Sequence, residues 1–262
     1  LTHEYFSAVL DSFKVEAEKR GYDITFINHN ISGRSMTYLE HCHYRSVDGV
    51  VIACVNFYDP QVVELVNSDV PVVTIDHVFN NRMAVLSDNV AGLKALVKQA
   101  WACGHRRIAF IHGEKTSVTE NRIAGFYQAC EELGLEIPEE YVRDGVYHDV
   151  ERCAEETRAL LVLPQRPTCI IFPDDFSALG GYNALAEAGL SIPDDISVMG
   201  YDGIYLSRVV NPSLVTYQQN TAALGQTAAD KLIELIEHPR VTLPEQIRVS
   251  GRLLSGRSVR SL

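Results

Sequence analysis

Apolar residues fall along this chain in short runs separated by amphipathic stretches, and the pattern is sharpest between Pro167 and Asp202. Cys169 to Phe172 is an apolar run that ends in Pro173, Asp174 and Asp175. Ser177 to Ala188 carries apolar residues at helical spacing and stops at Gly189. Ile196 to Met199 is a second apolar run, followed by Gly200, Tyr201 and Asp202. Two short apolar strands around an amphipathic helix predict a β-α-β unit whose parallel strands are buried on both faces. In such sheets ligands sit outside the carboxyl ends of the strands. Both strands here end in acid, so polar groups stand where a crevice belongs.

The same alternation runs through the chain. Helices are predicted over Glu4–Lys19, Ser35–Arg45 and Asp59–Asn67, and strands over Tyr22–Asn28, Gly49–Val55 and Val70–Ile75. An open parallel sheet normally begins with a strand, so a first strand is expected upstream of residue 1. A second run follows, with strands Met83–Leu86, Arg107–His112 and Tyr141–Val146 and helices Ala91–Cys103, Asn121–Leu133 and Val150–Val162. Two α/β runs of similar size predict two lobes with parallel sheets. Beyond them come an extended Leu214–Tyr217, a long amphipathic helix Thr221–Glu237, a strand Glu245–Val249 and a tail from Arg252. Such a late helix and strand predict a chain that crosses back to complete one lobe.

Composition narrows the function classes. The 262 residues suffice for two cores, and 46% hydrophobic with 22% charged residues is an ordinary globular balance. No apolar run approaches the roughly 20 residues that cross a bilayer, so no membrane association is expected. A net charge of −11 repels a phosphate backbone, so these residues are not expected to hold DNA themselves. Six cysteines at positions 42, 54, 103, 130, 153 and 169 form no CxxC pair and read as buried, reduced thiols of a cytoplasmic protein. His41 and His43 flank Cys42, but i, i+2 spacing on a helix points the rings apart, and no metal site is expected.

Enzyme signatures are scarce. The chain holds no G-x-G-x-x-G, no phosphate-binding G-x-x-x-x-G-K-[ST], no G-x-S-x-G and no H-E-x-x-H. No catalytic residue and no cofactor is expected. Asp174 and Asp175 are adjacent at a strand end and should point different ways; we assign Asp174 to the crevice and Asp175 to capping the next helix. Asp202 either caps the turn at Ile204–Ser207 or accepts hydrogen bonds from a ligand. Asp76 ends a strand of the other run and either caps the following turn or reaches the ligand. Arg122 opens a predicted helix just after a loop, and its planar donors match vicinal hydroxyls or a carboxylate. Tyr5, Phe6 and Tyr147 serve either as core aromatics or as apolar walls for a ring.

The wording of several passages carries more. RPTCIIFPDDFSALGGYNALAEAGLSIPDDISVMGYD, SDNVAG followed by ACGHRRIAFIHG, NRIAGFYQACEELGL, NPSLVTYQQNTAALGQTAADKLIELI and the closing GRLLSGRSV together resemble the LacI/GalR family of bacterial transcription regulators. The resemblance spans nearly the whole chain. It implies a type I periplasmic-binding-protein fold of two Rossmann-like lobes, with residues 1–87 and 220–244 in one and 88–219 and 245–262 in the other. In the family a small effector sits between the lobes and controls DNA binding through an N-terminal helix-turn-helix headpiece, which these residues lack. Positions matching the family's ligand contacts are Tyr5, Phe6, Asp76, Arg122, Tyr147, Asp174, Asp202 and Gln219. Many relatives have asparagine where Asp174 stands, and the extra negative charge disfavours anionic effectors. Thr116 and Val118 replace an arginine and a threonine of purine-binding relatives. These departures favour a neutral sugar. The family implies a homodimer; the alternative reading is the extracytoplasmic sugar-binding protein of a transporter.

Overall fold

The computed structural model describes residues 4–31 and 33–262. Elements are numbered along the chain. Contacts divide it into one unit of Leu1–Ser87 with Asn220–Val249 and a second of Asp88–Gln219 with Ser250–Leu262. The chain therefore passes from one unit to the other three times.

In the first unit, α1 (Glu4–Lys19) is followed by a small hairpin of β1 (Asn30–Ile31) and β2 (Arg34–Ser35), α2 (Tyr38–Arg45), β3 (Val50–Ile52), α3 (Pro60–Asn67), β4 (Val72–Ile75) and β5 (Met83–Ser87). Helix α9 (Thr221–Glu237) and strand β11 (Gln246–Val249) return to it, giving a parallel sheet in the order β11-β5-β4-β3. One face packs Val73, Ile75, Met83 and Val85 against α1 and α9; the other packs Ile52 and Val72 against α2 and α3. Helices α1 and α9 approach so closely that a Cβ on Gly225 would lie 2.3 Å from the Val9 carbonyl oxygen. Only glycine fits that crossing.

Two expectations change here. The family resemblance places residues 245–249 in the second lobe, but β11 pairs in parallel with β5, where Ile247 and Val249 join the first core. Tyr22–Asn28 alternates like a strand but joins no ladder among the described residues. Instead Nδ1 of the buried His41 ring of α2 lies 2.8 Å from the Asn28 N–H and 2.9 Å from the Asn28 carbonyl, and its tautomer decides which of the two it bonds. Alternation marks two faces; a strand also needs a partner edge.

The second unit contains α4 (Asn89–Ala102), β6 (Ile108–His112), α5 (Ser117–Glu132), β7 (Val142–Asp144), α6 (Val150–Leu161), β8 (Cys169–Ile171), α7 (Ala178–Glu187), β9 (Ser197–Asp202), the short α8 (Leu206–Val209), β10 (Val215–Gln218) and β12 (Arg252–Leu254). Its six-stranded sheet runs β12-β10-β9-β8-β6-β7, parallel except for β12 against β10. Ile108 and Phe110 face α4 and α5, while Ala109 and Ile111 face α6 and α7. This alternation explains why the strands read as unbroken apolar runs. Strand β7 lies on one side of β6 and β8 on the other, so the winding direction reverses between β6 and β8. That switch point is where open α/β sheets leave a crevice at their carboxyl ends.

The tail beyond Arg252 is ordered by the sheet and by one histidine. His105 is fully buried; its Nδ1 meets Thr168 Oγ1 at 2.9 Å and its Nε2 meets the Arg260 carbonyl at 3.2 Å. Burial pushes its imidazole below the usual histidine range. The folded state thus resists protonation, and its advantage is lost as pH falls through the unfolded value of about 6.5. We expect His105→Ala to cost about 1–3 kcal/mol at pH 7.5 and visibly less at pH 5. Urea midpoints of both proteins at the two pH values check this; a pH-independent difference would refute it. Of the six cysteines, 42, 130, 153 and 169 are buried as expected, but Cys54 is exposed and Cys103 half-buried.

Candidate functional site

Helix α5 begins earlier than its apolar spacing predicts. Thr116 caps it by accepting from Thr119 N–H at 3.2 Å, so Arg122 lies in the second turn and not at the opening. This turns the guanidinium towards the switch point of the second unit. Arg122 is only 4% exposed. Its Nε donates to Asn89 Oδ1 at 2.8 Å and its Nη1 to the Pro173 carbonyl at 2.7 Å. The charge lies 3.6 Å from the centre of the Tyr201 ring and 5.6 Å from that of Tyr147. Two aromatic faces and two carbonyl-type acceptors compensate a cation withdrawn from water.

Asp202 ends β9 with φ of 99°, a left-handed backbone that is unusual for aspartate. Gln219 fixes it twice. Gln219 N–H donates to the Asp202 carbonyl at 3.2 Å and its Nε2 to Asp202 Oδ1 at 2.6 Å. The same oxygen lies 3.9 Å from Arg122 Nη2, too long for a hydrogen bond. Oδ2 accepts no hydrogen bond among the described residues. Burial, partly countered by Arg122 and aggravated by the charge of Asp174, raises this carboxyl to about 6. Asp202 therefore caps no turn. It is a buried acceptor held beside a cation, with one oxygen uncommitted within this set.

The helix-start role expected for Asp175 falls to its neighbour. Asp174 makes the helix-start contact: Oδ1 accepts from Ser177 N–H at 2.7 Å, and Oδ2 from Ser177 Oγ at 2.8 Å and His148 N–H at 2.9 Å. Three donors on a 1% exposed carboxylate hold it within its own loop. Asp175 accepts from Thr216 Oγ1 at 2.5 Å and Ile204 N–H at 2.8 Å, tying β10 to the loop after β9. Burial raises its carboxyl well above the usual range.

Tyr147 follows β7 and lies flat on the loop after β6, where a Cβ on Gly113 would meet its ring at 2.1 Å. In the first unit, Tyr5 Oη donates to Asp76 Oδ2 at 2.6 Å and Ser87 N–H to Asp76 Oδ1 at 2.7 Å. Asp76, with φ of 60°, thus ties the ends of β4 and β5 to α1, and Tyr5 is a core residue. Phe6 is half-buried on α1. Of the expected residues, the second unit gathers Arg122, Tyr147, Asp202 and Gln219 into one cluster with Asp174 behind it; the first pairs Tyr5 with Asp76. Sequence reasoning missed Asn89, Tyr201, Thr119 and Gly113. Asn89 stands in the SDNVAG passage but reads as part of a helix cap, and Tyr201 reads as an ordinary strand residue.

A family model for periplasmic binding protein-like domains matches residues 97–259. The HTH-type transcriptional repressor PurR of Haemophilus influenzae is 31% identical over 265 residues, covering 98% of this chain and 78% of the repressor. The chain belongs to the LacI family of transcriptional regulators. A solved regulatory protein of the LacI family from Chloroflexus aggregans superposes with a TM-score of 0.82 at 28% identity, over 97% of this chain and 92% of that one. A LacI family regulator from Enterococcus faecium, solved with bound ribose, gives 0.85 at 26% identity, over 100% and 96%. As a LacI family member the chain is an effector-binding core of two periplasmic-binding-protein-like units, and its relatives are regulators, not transport receptors or enzymes. Among the described residues no helix is long and apolar enough to cross a membrane.

Proposed function

We propose that this chain senses a small neutral sugar and passes the signal to DNA through a headpiece outside these 262 residues. The observation that carries the reading is the buried Asp202 carboxylate, beside Arg122 and held by Gln219, with Oδ2 accepting nothing among the described residues. A carboxylate and a guanidinium side by side match the vicinal hydroxyls of a sugar, which donate and accept at once. Tyr147 supplies a ring face for stacking. The charge of Asp174 bears on Asp202 and disfavours anionic effectors. The bound ribose of the Enterococcus faecium regulator fits this class.

The protein is neither an enzyme nor a membrane protein on this reading, and it acts in the cytoplasm as a homodimer. With a net charge of −11, DNA contact falls to a separate basic segment. Effector binding shifts the population between two arrangements of the dimer. The test is a thermal-shift panel of neutral aldoses, D-ribose included, with purine bases and sugar phosphates as controls. Stabilisation by at least one aldose and by no control supports the reading. Stabilisation by purines alone, or by none of the set, overturns it.

A further inference from the structure

Thr119 stands one turn before Arg122 and is 1% exposed. Its single O–H donates to the Glu114 carbonyl at 2.7 Å, and a carbonyl only accepts. Thr119 Oγ1 also lies 2.8 Å from Tyr147 Oη. With the threonine proton already committed, Tyr147 is the donor in that bond. Thr116 Oγ1 donates to the same oxygen at 3.2 Å, which fills its second lone pair. Glu114 adds a second clamp by accepting from Tyr147 N–H at 2.9 Å. Gly113 leaves room for the ring to lie on the backbone. The proton of the Tyr147 phenol is therefore spent inside the protein. What remains for a ligand is a ring face and an oxygen that accepts.

We propose that Thr119 is a positioning and specificity-determining residue that fixes the Tyr147 ring beside Arg122 and makes the Tyr147 hydroxyl an acceptor. This rests on reading the Arg122–Asp202 cluster as the effector site. Asp202 Oδ2 and Tyr147 Oη are then both acceptors, so the effector presents hydrogen-bond donors to this side of the site. Hydroxyls satisfy that demand; carbonyl and carboxylate groups do not. The selection against acceptor-rich ligands comes from a threonine that touches no ligand, acting through a tyrosine 28 residues away in sequence.

The experiment uses tyrosines labelled at 13Cζ in the whole chain, with Tyr147 identified by the signal lost in Tyr147→Phe. Thr119→Val keeps the shape and removes the hydroxyl; Thr119→Ser keeps it. We expect the Tyr147 signal to move in Thr119→Val and return in Thr119→Ser. For any aldose that stabilises the wild type, affinity should fall about tenfold in Thr119→Val, as for one lost hydrogen bond, and recover in Thr119→Ser. An unmoved signal in folded Thr119→Val overturns the positioning role. A moved signal with unchanged aldose affinity overturns the specificity role. Should no aldose bind the wild type, the sugar reading fails, and the labelled tyrosine still decides what Thr119 does.

Discussion

Arg122→Ala is expected to destabilise the protein by about 3–5 kcal/mol, the usual consequence of removing one member of a buried charged set, and to abolish stabilisation by any effector. The size follows from what the guanidinium leaves behind. Asn89 Oδ1 and the Pro173 carbonyl each lose a donor in a buried place. Tyr201 loses a cation 3.6 Å from its ring centre. Asp202 loses the cation that offsets its burial. Arginine here is thus a structural pin across α5, α4 and the loop after β8 as well as a ligand group. Chemical denaturation and a thermal-shift assay with the active aldose separate the two effects. Arg122→Lys retains the charge but not the planar fork, so it should recover part of the stability and little of the binding. Undiminished effector response in Arg122→Ala would sink the site assignment.

How much of this was legible beforehand depends on whether the cause was local. The β8-α7-β9 unit is readable because both strands are buried on two faces and Gly189 stops the helix between them. Arg122, Tyr147, Asp202 and Gln219 are legible as family positions, but not as a cluster, because the switch point that gathers them is a property of strand order. The helix-start contact falls to Asp174 and not to Asp175, because an apolar run does not say which of two adjacent carboxylates meets the helix that follows. Thr119 was invisible: a threonine near a helix start looks like any cap, and its partner Tyr147 lies on another loop. Tyr22–Asn28 misleads for a related reason, since its alternation is genuine but a ladder needs a neighbouring edge that lies elsewhere in the chain. The fate of residues 246–249 turns on which sheet edge they meet, and no pattern within four residues encodes that.

Asp202→Asn should have the opposite stability effect from Arg122→Ala, and the pH dependence gives it away. The folded carboxyl sits at about 6 against an ordinary 3.8, so folding favours its protonated form. Between pH 4 and pH 6 the unfolded chain ionises this group while the folded one still holds its proton. Stability therefore falls as pH rises through that window and stays low above it, by about 3 kcal/mol for this separation. Asparagine keeps an acceptor for Gln219 Nε2 and removes the charge. The variant should be more stable than the wild type by up to about 3 kcal/mol at pH 7.5, with the gain vanishing below pH 4, where both wild-type states are protonated. It should also lose the effector response, because a neutral amide is a weaker acceptor for sugar hydroxyls than a carboxylate. Denaturant midpoints for both proteins at pH 4 and 7.5 check the first claim and the aldose panel the second. A variant less stable than the wild type at pH 7.5 would mean that Arg122 compensates Asp202 fully at 3.9 Å. Gain of stability together with loss of response would identify Asp202 as a charge kept buried for its ligand and not for the fold.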